Sequence, residues 1–397
     1  MPEVGSFSIA PLDIPADSSL AKELPRLKRH LKSESARLQE WHREGADGRK
    51  VCAARSAVID TLLVTLFDWT LDTFEPKKSE RKLTMSLVAI GGYGRSELNP
   101  HSDIDFMLLH SGTTPSVTRI FNHELIEKLT GPGGLIYTLY DLGMKVGYSV
   151  RNIQDAVNVA NDDMQTKTSL IESRLISGDA GLFEQFQKRV EVKCVRSHID
   201  DYLQMRITDQ DARRVKFGNS ALLQAPNIKN GCGGLRDYQN LLWMTHFKYG
   251  TRTLAELEAQ EMIRPNNRAQ LEEGYGFLLR VRNELHYQTK RPSDDLHKAL
   301  QPKVAWQLGY KDRSPARRLE AFMRDLYMHM RRIHLITRMV ERRLALRPKP
   351  SRRIPSLRSL FGGGEKQETL DGFQVIEGEL VPVSSRIFKD QPRRLMR

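Results

Sequence analysis

The chain has 397 residues, 39% of them hydrophobic and 28% charged, a balance that excludes a fibrous or an intrinsically disordered protein. Its formal net charge of +13 predicts an anionic partner, but nucleotides, nucleic acids, acidic proteins and membrane surfaces would all fit. Cys52, Cys194 and Cys232 show no CxxC spacing, which argues against a disulfide framework or a cysteine zinc site and favours a reducing cytoplasm.

Neither a signal peptide nor a membrane span is expected. The first twenty residues contain three acids and lack a basic start and an apolar core. The most apolar stretch, Ala57 to Phe67, is far shorter than the ~20 apolar residues that a membrane helix needs. We therefore expect a cytoplasmic protein without a membrane partner.

The first part of the chain predicts a small α/β unit with a mixed sheet. After a loose lead, apolar spacing predicts helices between Leu20 and Trp69. Leu83 to Ile90 is typical of a buried strand, and Ile104 to Leu109 of a second one. A helix is then predicted to carry Val117, Ile120, Phe121, Leu125 and Leu129 and to stop at Gly131. Leu135 to Val150 shows strand-like alternation around Asp141.

From Asn152, a predicted helix cap, helical spacing continues to about Leu346 and predicts an all-helical domain. In this interpretation Leu170, Ile171, Arg174 and Leu175 belong to one helix that ends at Gly178. Between Arg331 and Arg358 ten basic residues face a single acid, Glu341, and Gly372 to Gly378 resembles a short hairpin.

The segment between the two predicted strands carries the clearest chemistry. Gly91 and Gly92 form a turn that would let the backbone approach phosphates closely, and Asp103 and Asp105 share one face of a strand. Two carboxylates on one face can hold Mg²⁺, which prefers oxygen ligands. A lone Asp-x-Asp or a lone glycine pair is usually only a turn. Their combination beside two strands favours a nucleotide and metal site.

The same residues match the glycine-pair plus Dh[DE]h pattern of the DNA polymerase β superfamily. The string GGYGRSELNPHSDIDFMLL resembles the bacterial PII uridylyltransferases, and the similarity runs from about residue 50 to the C-terminus. Three further segments resemble that family: Leu139 to Arg151, Asn227 to Asp237, and Phe277 to His286.

The resemblance implies an α+β protein, in which a small mixed-sheet domain of the polymerase β type is followed by an all-helical domain. The predicted divisions are a lead and helix at 1–49, the nucleotidyltransferase domain at 50–152, an associated helical domain at 153–346, and a basic linker with a truncated tail at 347–397. The family implies uridylyl transfer from UTP to a tyrosine of the PII signal protein, with Mg²⁺, or alternatively Mn²⁺, as cofactor.

The family also implies roles for individual residues. Asp103, Asp105 and Asp141 would be the catalytic and metal-binding carboxylates, with Asp141 as the third ligand and a candidate base. The nucleotide would contact Gly91, Gly92, Gly94, Arg95 and Ser102, with Arg95 a candidate for a bidentate phosphate contact.

Two other motifs leave alternatives open. The segment from Gly231 to Asp237 either caps the following helix or faces the nucleotide through Arg236. Arg282, Glu284 and His286 cannot all face one site if they lie on one helix, so we expect surface and interhelical pairs there.

The resemblance also raises an expectation of absence and several alternative functions. Relatives continue into a histidine-aspartate hydrolase domain and glutamine-sensing domains. None of the eleven histidines here precedes an aspartate, so hydrolase activity is not expected. The competing functions are adenylyl transfer to another protein and a non-catalytic regulatory remnant. A nucleic-acid partner is not expected, because no aromatic platform accompanies the basic stretch.

Overall fold

The computed structural model describes residues 3–4, 7–75, 83–112, 123–346, 369–370, 373–376 and 379–382. The chain forms two compact units, one reaching to Arg338 and the other starting at Met339. In the described segments, no helix combines the length and the apolar content required of a membrane span.

The first unit is mainly helical, with short strands near its N-terminus and in its first half. The strands are β1 (Glu3–Val4), β2 (Phe7–Ser8), β3 (Met85–Ala89), β4 (Ile104–His110), β5 (Val146–Arg151) and β6 (Arg174–Gly178). The helices of the first half are α1 (Leu20–Arg43), α2 (Gly48–Asp72), the single turn α3 (Gly91–Gly94), α4 (Glu124–Thr130), α5 (Leu135–Asp141), α6 (Ile153–Asp162), α7 (Met164–Ile171) and α8 (Ala180–Val190).

The second half of this unit is helical in all its described elements. A π-helical turn, Glu191–Val195, follows α8. The remaining helices are α9 (Ile199–Phe217), α10 (Leu235–Tyr249), α11 (Leu254–Ala259), α12 (Pro265–Thr289), α13 (Gln301–Gln307) and α14 (Pro315–Leu346), the last of which crosses into the second unit.

The central sheet has four strands in the order β5-β4-β3-β6. β3 pairs antiparallel with β4 and β6, whereas β4 pairs parallel with β5. This mixed sheet, with the helices that follow it, confirms the predicted α+β class.

Helices cover both faces of the sheet because the residues of β3 and β4 alternate between two apolar clusters. Leu87 and Phe106 pack on one face with side chains of α2, and Val88 and Met107 pack on the other with side chains of α6 and α8. Two fully buried central strands explain why their sequences are apolar runs rather than alternating patterns.

Two predictions of secondary structure were wrong. The segment Leu135–Asp141 is a helix, and only Val146–Arg151 of the predicted strand-like stretch is extended. The supposed helix around Leu175 is interrupted, since α7 ends at Ile171 and Arg174–Gly178 forms the edge strand β6. The sheet therefore extends past residue 152, although the domain divisions themselves stay predictions.

Other expectations were confirmed. Asn152 caps α6, because its side chain accepts from the Asp155 amide at 2.8 Å. The predicted helix that ends before Gly131 is present as α4, while its earlier part, with Val117, Ile120 and Phe121, lies outside the described residues.

In the second unit the described strands β7 (Thr369–Leu370), β8 (Phe373–Ile376) and β9 (Glu379–Pro382) form an antiparallel sheet. β8 lies within the segment from Gly372 to Gly378 for which a hairpin was predicted, but its partner β9 follows that segment. The predicted basic stretch beyond Leu346 lies outside the described residues.

Candidate active site

The glycine turn and the two carboxylates meet at one end of β3 and β4. Gly91 has φ +58°, in the left-handed region that favours glycine, and it begins the single turn α3 directly after β3. The Ile90 amide donates to the Asp105 carbonyl at 3.0 Å, which holds the turn beside the start of β4. The glycine motif and the carboxylate motif therefore lie together at one end of the sheet.

Asp103 and Asp105 lie on the same side of the chain, as their spacing predicts. Asp105 is the second residue of β4, and Asp103 directly precedes that strand. Between them, Ile104 is buried in the core at 3% exposure. Both carboxylates line a cavity of about 700 Å³, together with Gly91, Gly92 and Ser102.

The carboxylate pair is electrostatically costly in the free protein. Burial raises the pKa of Asp105, and the negative charge of Asp103 raises it further, while the Lys229 ammonium acts in the opposite sense. A cation bound between the two carboxylates would relieve this repulsion, so the pair suits a divalent ion.

The protein offers two carboxylates to such a cation site. The described residues contain no group of three or more His, Cys, Asp or Glu side chains able to hold a metal ion. Mg²⁺ is commonly bound by one or two carboxylates and completes its shell with water and substrate phosphates. Asp103 and Asp105 fit that mode of binding.

The cavity also has a cationic wall. It carries six basic side chains: Arg95, Arg206, Arg213, Lys229, Arg236 and Arg282. Four of them are already paired with acids. Arg206 and Arg213 reach Asp209 at 2.8 and 3.3 Å, Arg282 reaches Asp294 at 2.7 Å, and Arg95 bridges two glutamates.

Lys229 and Arg236 are different, because within the described segments neither forms a salt bridge with a carboxylate. Burial and the neighbouring Arg282 lower the pKa of Lys229 to about 8. Burial and the neighbouring Arg95 and Arg206 lower the pKa of Arg236 to about 10. Lys229 and Arg236 are thus partly buried cations beside other cations, and an anionic ligand would relieve this repulsion.

Trp243 and Glu172 organise this cationic wall. The guanidinium groups of Arg206 and Arg236 lie 4.8 and 5.0 Å from the Trp243 ring centroid. The indole nitrogen of Trp243 donates to Glu172, whose other oxygen accepts from Arg95 at 2.6 Å. Glu172 thus connects the glycine turn with α10.

Arg95 acts as a tie between elements. Its Nη1 atom binds Glu172 and its Nε atom binds Glu97 at 2.7 Å. Glu97 in turn accepts from the hydroxyl of Tyr275, which is fully buried on α12. Arg95 lines the cavity, but two of its nitrogens are engaged, so its guanidinium does not present a free bidentate face to a phosphate.

Two predicted site residues do not reach the cavity wall. Asp141 is the exposed last residue of the helix α5, so the third-carboxylate role predicted for it finds no geometric support. Gly94 is buried against the main-chain carbonyl of Glu172, where a side chain would clash. Gly94 therefore serves the packing of the turn.

In the second motif, Arg236 lies at the cavity and Asp237 lies in a buried cluster with Arg213 and Arg214. Asp237 lies in the first turn of α10 and accepts from the Gly233 amide at 2.7 Å and from Arg213 at 3.3 Å. In the same motif, Lys229, Asn230 and Arg236 line the cavity. The segment faces the candidate nucleotide site, and the N-cap residue of α10, Gly234, makes no side-chain capping hydrogen bond.

On α12, interhelical pairing was predicted correctly but a surface position was not. Glu284 is fully buried and faces His42 and Arg43 of α1, both at 3.3 Å. Arg282 lines the cavity, a placement that sequence reasoning missed. Sequence reasoning also missed Arg206, Arg213 and Trp243. For the two arginines, the only signal in the sequence was the excess of positive charge.

Comparison with known proteins agrees with this architecture. Residues 201–341 match the family model described as GlnD PII-uridylyltransferase. A bifunctional uridylyltransferase/uridylyl-removing enzyme of Rhodospirillum rubrum is 30% identical over 355 residues, which cover 89% of this chain and 36% of the relative. Enzymes of the same name from Caulobacter vibrioides and Azospirillum brasilense are 29% and 30% identical, over 89% and 88% of this chain and 37% and 36% of their own lengths.

The mixed sheet and the cavity at its end bring a glycine turn, a carboxylate pair and basic side chains together. The comparisons show that the chain is related to the PII uridylyltransferases and corresponds to an N-terminal portion of them. It spans little more than a third of the length of the curated relatives that it matches.

Proposed function

We propose that this chain transfers a uridylyl group from UTP to a tyrosine hydroxyl of a PII signal protein, with Mg²⁺ as cofactor and Mn²⁺ as a substitute. The observation that carries the proposal is the cavity itself. It joins a carboxylate pair beside a glycine turn to a cationic wall with two unpaired cations, in a relative of the uridylyltransferases.

The triphosphate is bound by the cationic wall. Lys229 and Arg236 donate charge-assisted hydrogen bonds to its oxygens, and the amides of Gly91 and Gly92 contact it without side-chain interference. The cavity volume of about 700 Å³ is in the range of small-molecule and cofactor sites. Glu172 keeps Arg95 and Trp243 in place while the ligand enters.

The carboxylate pair would lie at the α-phosphate of the nucleotide, where the transfer takes place. Asp103 and Asp105 would hold the divalent cation, which would supply positive charge to neutralise the phosphates. The tyrosine hydroxyl releases its proton to solvent as its oxygen forms a bond to the α-phosphorus. The bond from that phosphorus to the bridging oxygen breaks, and pyrophosphate leaves.

The test is a transfer assay with the full chain, Mg²⁺, a PII protein of the same organism, and UTP or ATP labelled at the α- or the γ-phosphate. Label from α-labelled UTP should appear on a PII tyrosine, and label from the γ-position should not. A preference for ATP, or modification without divalent metal, would contradict the proposal.

The matched variants are Asp103→Asn and Asp162→Asn, since Asp162 is an exposed aspartate on α6 outside the cavity. Loss of a metal ligand should lower kcat by about a hundredfold or more, as removal of one electrostatic stabiliser typically does. The Asp162 variant should retain normal turnover. Normal turnover in Asp103→Asn would remove the assigned role.

A further inference from the structure

A second cleft adjoins the cavity and differs from it in charge. Its volume is about 410 Å³, and it shares Ser102 and Pro292 with the nucleotide cavity. An occupant of this cleft would therefore lie beside the loop that leads into Asp103.

The charged residues that line the cleft are all basic. Six of its residues are cationic: Lys28, Lys32, Arg55, Lys145, Lys290 and Arg291. The described lining contains no Asp or Glu, whereas the nucleotide cavity carries acids beside its cations. Such a concentration of uncompensated charge focuses a positive potential at the cleft.

Separate elements supply these cations. Lys28 and Lys32 lie four residues apart on α1 and hence on the same helical face, while Arg55 comes from α2. Lys145 precedes β5, and Lys290 and Arg291 follow α12. Convergence of four chain segments on one cleft is a feature of the tertiary fold and not of one charged helix face.

Arg55 forms the base of the cleft. It is half-buried, and its Nε atom donates to the main-chain carbonyl of Asn99 at 3.2 Å. Burial lowers the pKa of Arg55, and the groups that act in the other direction are Tyr287 and Cys52. Within the described segments no salt bridge compensates this guanidinium.

Resting on the proposed function, we infer that this cleft docks an acidic polypeptide segment of the acceptor protein, next to the hydroxyl that receives the uridylyl group. The other five cations are exposed and carried on long side chains, which suits several carboxylates spaced along a chain. The lining has no Phe, Tyr or Trp on which bases could stack, so it does not fit single-stranded nucleic acid.

The location adds a second argument for the acceptor. The acceptor hydroxyl must come within bonding distance of the α-phosphate, above Asp103 and Asp105. A segment held in the cleft reaches that point past Ser102, which lines both spaces. Charges at this rim would steer the acceptor into place and depend on ionic strength.

The experiment compares Lys28→Glu/Lys32→Glu and Arg291→Glu with the exposed control Lys298→Glu/Lys303→Glu, all in the full chain. Steady-state transfer is measured while PII and UTP are varied separately. We expect the KM for PII to rise roughly tenfold in the cleft variants and to stay near the wild-type value in the control. Thermal unfolding verifies that each variant is folded.

A direct binding assay separates this inference from the proposed function. A fluorescein-labelled twelve-residue peptide of alternating Glu and Ser is titrated with each protein and followed by anisotropy, with a Lys-Ser peptide and inorganic phosphate as comparisons. Binding of the acidic peptide by the wild type and its loss in both cleft variants would support the inference, even if no PII were modified.

Three results would overturn the inference. The acidic peptide binds wild type and cleft variants equally, or the cleft variants raise the KM for UTP and not for PII. The third is binding of inorganic phosphate to the cleft under conditions in which the acidic peptide does not bind, which would assign the cleft to a small anion. Absence of transfer to PII by the wild type would instead refute the proposed function.

Discussion

Asp105 and Gly147 are register partners across the parallel strands β4 and β5, and the Oδ1 atom of Asp105 occupies the place that a Cβ atom at position 147 would take. The neighbouring strand therefore contributes room for the carboxylate and not a further ligand, since Val146–Arg151 contains no acid. The orientation of Asp105 therefore depends on the absence of a side chain at Gly147.

Gly147→Ala should consequently impair transfer without removing any functional group. Displacement of the Asp105 carboxylate by a methyl group should lower kcat by roughly a hundredfold, the scale expected for a misplacement of about 1 Å. The control is Tyr148→Phe, a change at the next position of the same strand. If the effect passes through Asp105, the double variant with Asp105→Asn should be no slower than Asp105→Asn alone.

Asp105→Asn should make the metal-free protein more stable at neutral pH. Burial and Asp103 raise the pKa of Asp105 in the folded state, so the folded state holds its proton more strongly than the unfolded state does. Stability from this group is present at low pH and is lost as pH rises through the window above the ordinary carboxyl pKa. Thermal melts across pH should show a higher Tm and a flatter pH dependence for the variant.

The effect of Mg²⁺ on the Tm of the same two proteins provides a second test. Mg²⁺ should raise the Tm of the wild type and have little effect on Asp105→Asn, because ligand binding to the native state stabilises it by mass action. Equal stabilisation of both proteins by Mg²⁺ would place the ion elsewhere.

The affinity for UTP should fall in the wild type as pH rises above about 8. Lys229 has a pKa lowered to about 8 in the free protein, so deprotonation there removes a positive charge from the cavity wall. Lys229→Arg should keep its affinity above that pH, because the guanidinium remains charged. Lys229→Met should bind weakly at every pH. Calorimetric titrations with UTP over pH would reveal these three profiles.

Arg236→Gln should weaken UTP binding and stabilise the free protein. A hydrogen bond to a charged group contributes about 1.5–3 kcal/mol, so the Kd should rise at least about tenfold. The lowered pKa of Arg236 shows that burial and the neighbouring cations disfavour its charge in the folded state, and removing the charge relieves this cost. Arg189→Gln, on the exposed side of α8, should change neither quantity.

Asp237→Asn should destabilise the protein strongly. Asp237 is fully buried and accepts from Arg213, Arg214 and the Gly233 amide. Neutralising it leaves the buried Arg214 guanidinium without its counter-charge and removes one of the two acids paired with Arg213, at a cost of about 3 kcal/mol. Urea unfolding would measure the loss, and Glu184→Gln, from an exposed pair with Lys188, should leave the midpoint unchanged.

The sequence predicted the part of the site that is local. A glycine turn between two buried strands, with Asp103 and Asp105 on one side, follows from backbone alternation and glycine conformation. Arg206 and Trp243 lie more than a hundred residues away along the chain, and helix packing alone brings them to the cavity. No local pattern distinguishes them from other residues of amphipathic helices.

The edge strand β6 illustrates a different failure. Leu170, Ile171 and Leu175 fit helical spacing, but the backbone of Arg174–Gly178 pairs with β3. Long-range hydrogen bonding overrode the local preference, as is common for strands. Asp141 is a separate case, since the alternation around it predicted a strand and the residue ends a helix held by local backbone hydrogen bonds.

The pairing of β6 with β3 also decides how the chain can be divided in the laboratory. A fragment ending at residue 152 would leave the apolar strand Met85–Ala89 with an open edge, a template for aggregation. Val88 of that strand and Trp243 of α10 belong to the same apolar cluster. Attempts to produce the sheet region alone should yield insoluble material, and the smallest soluble piece will have to retain the helices that complete both its edge and its second face.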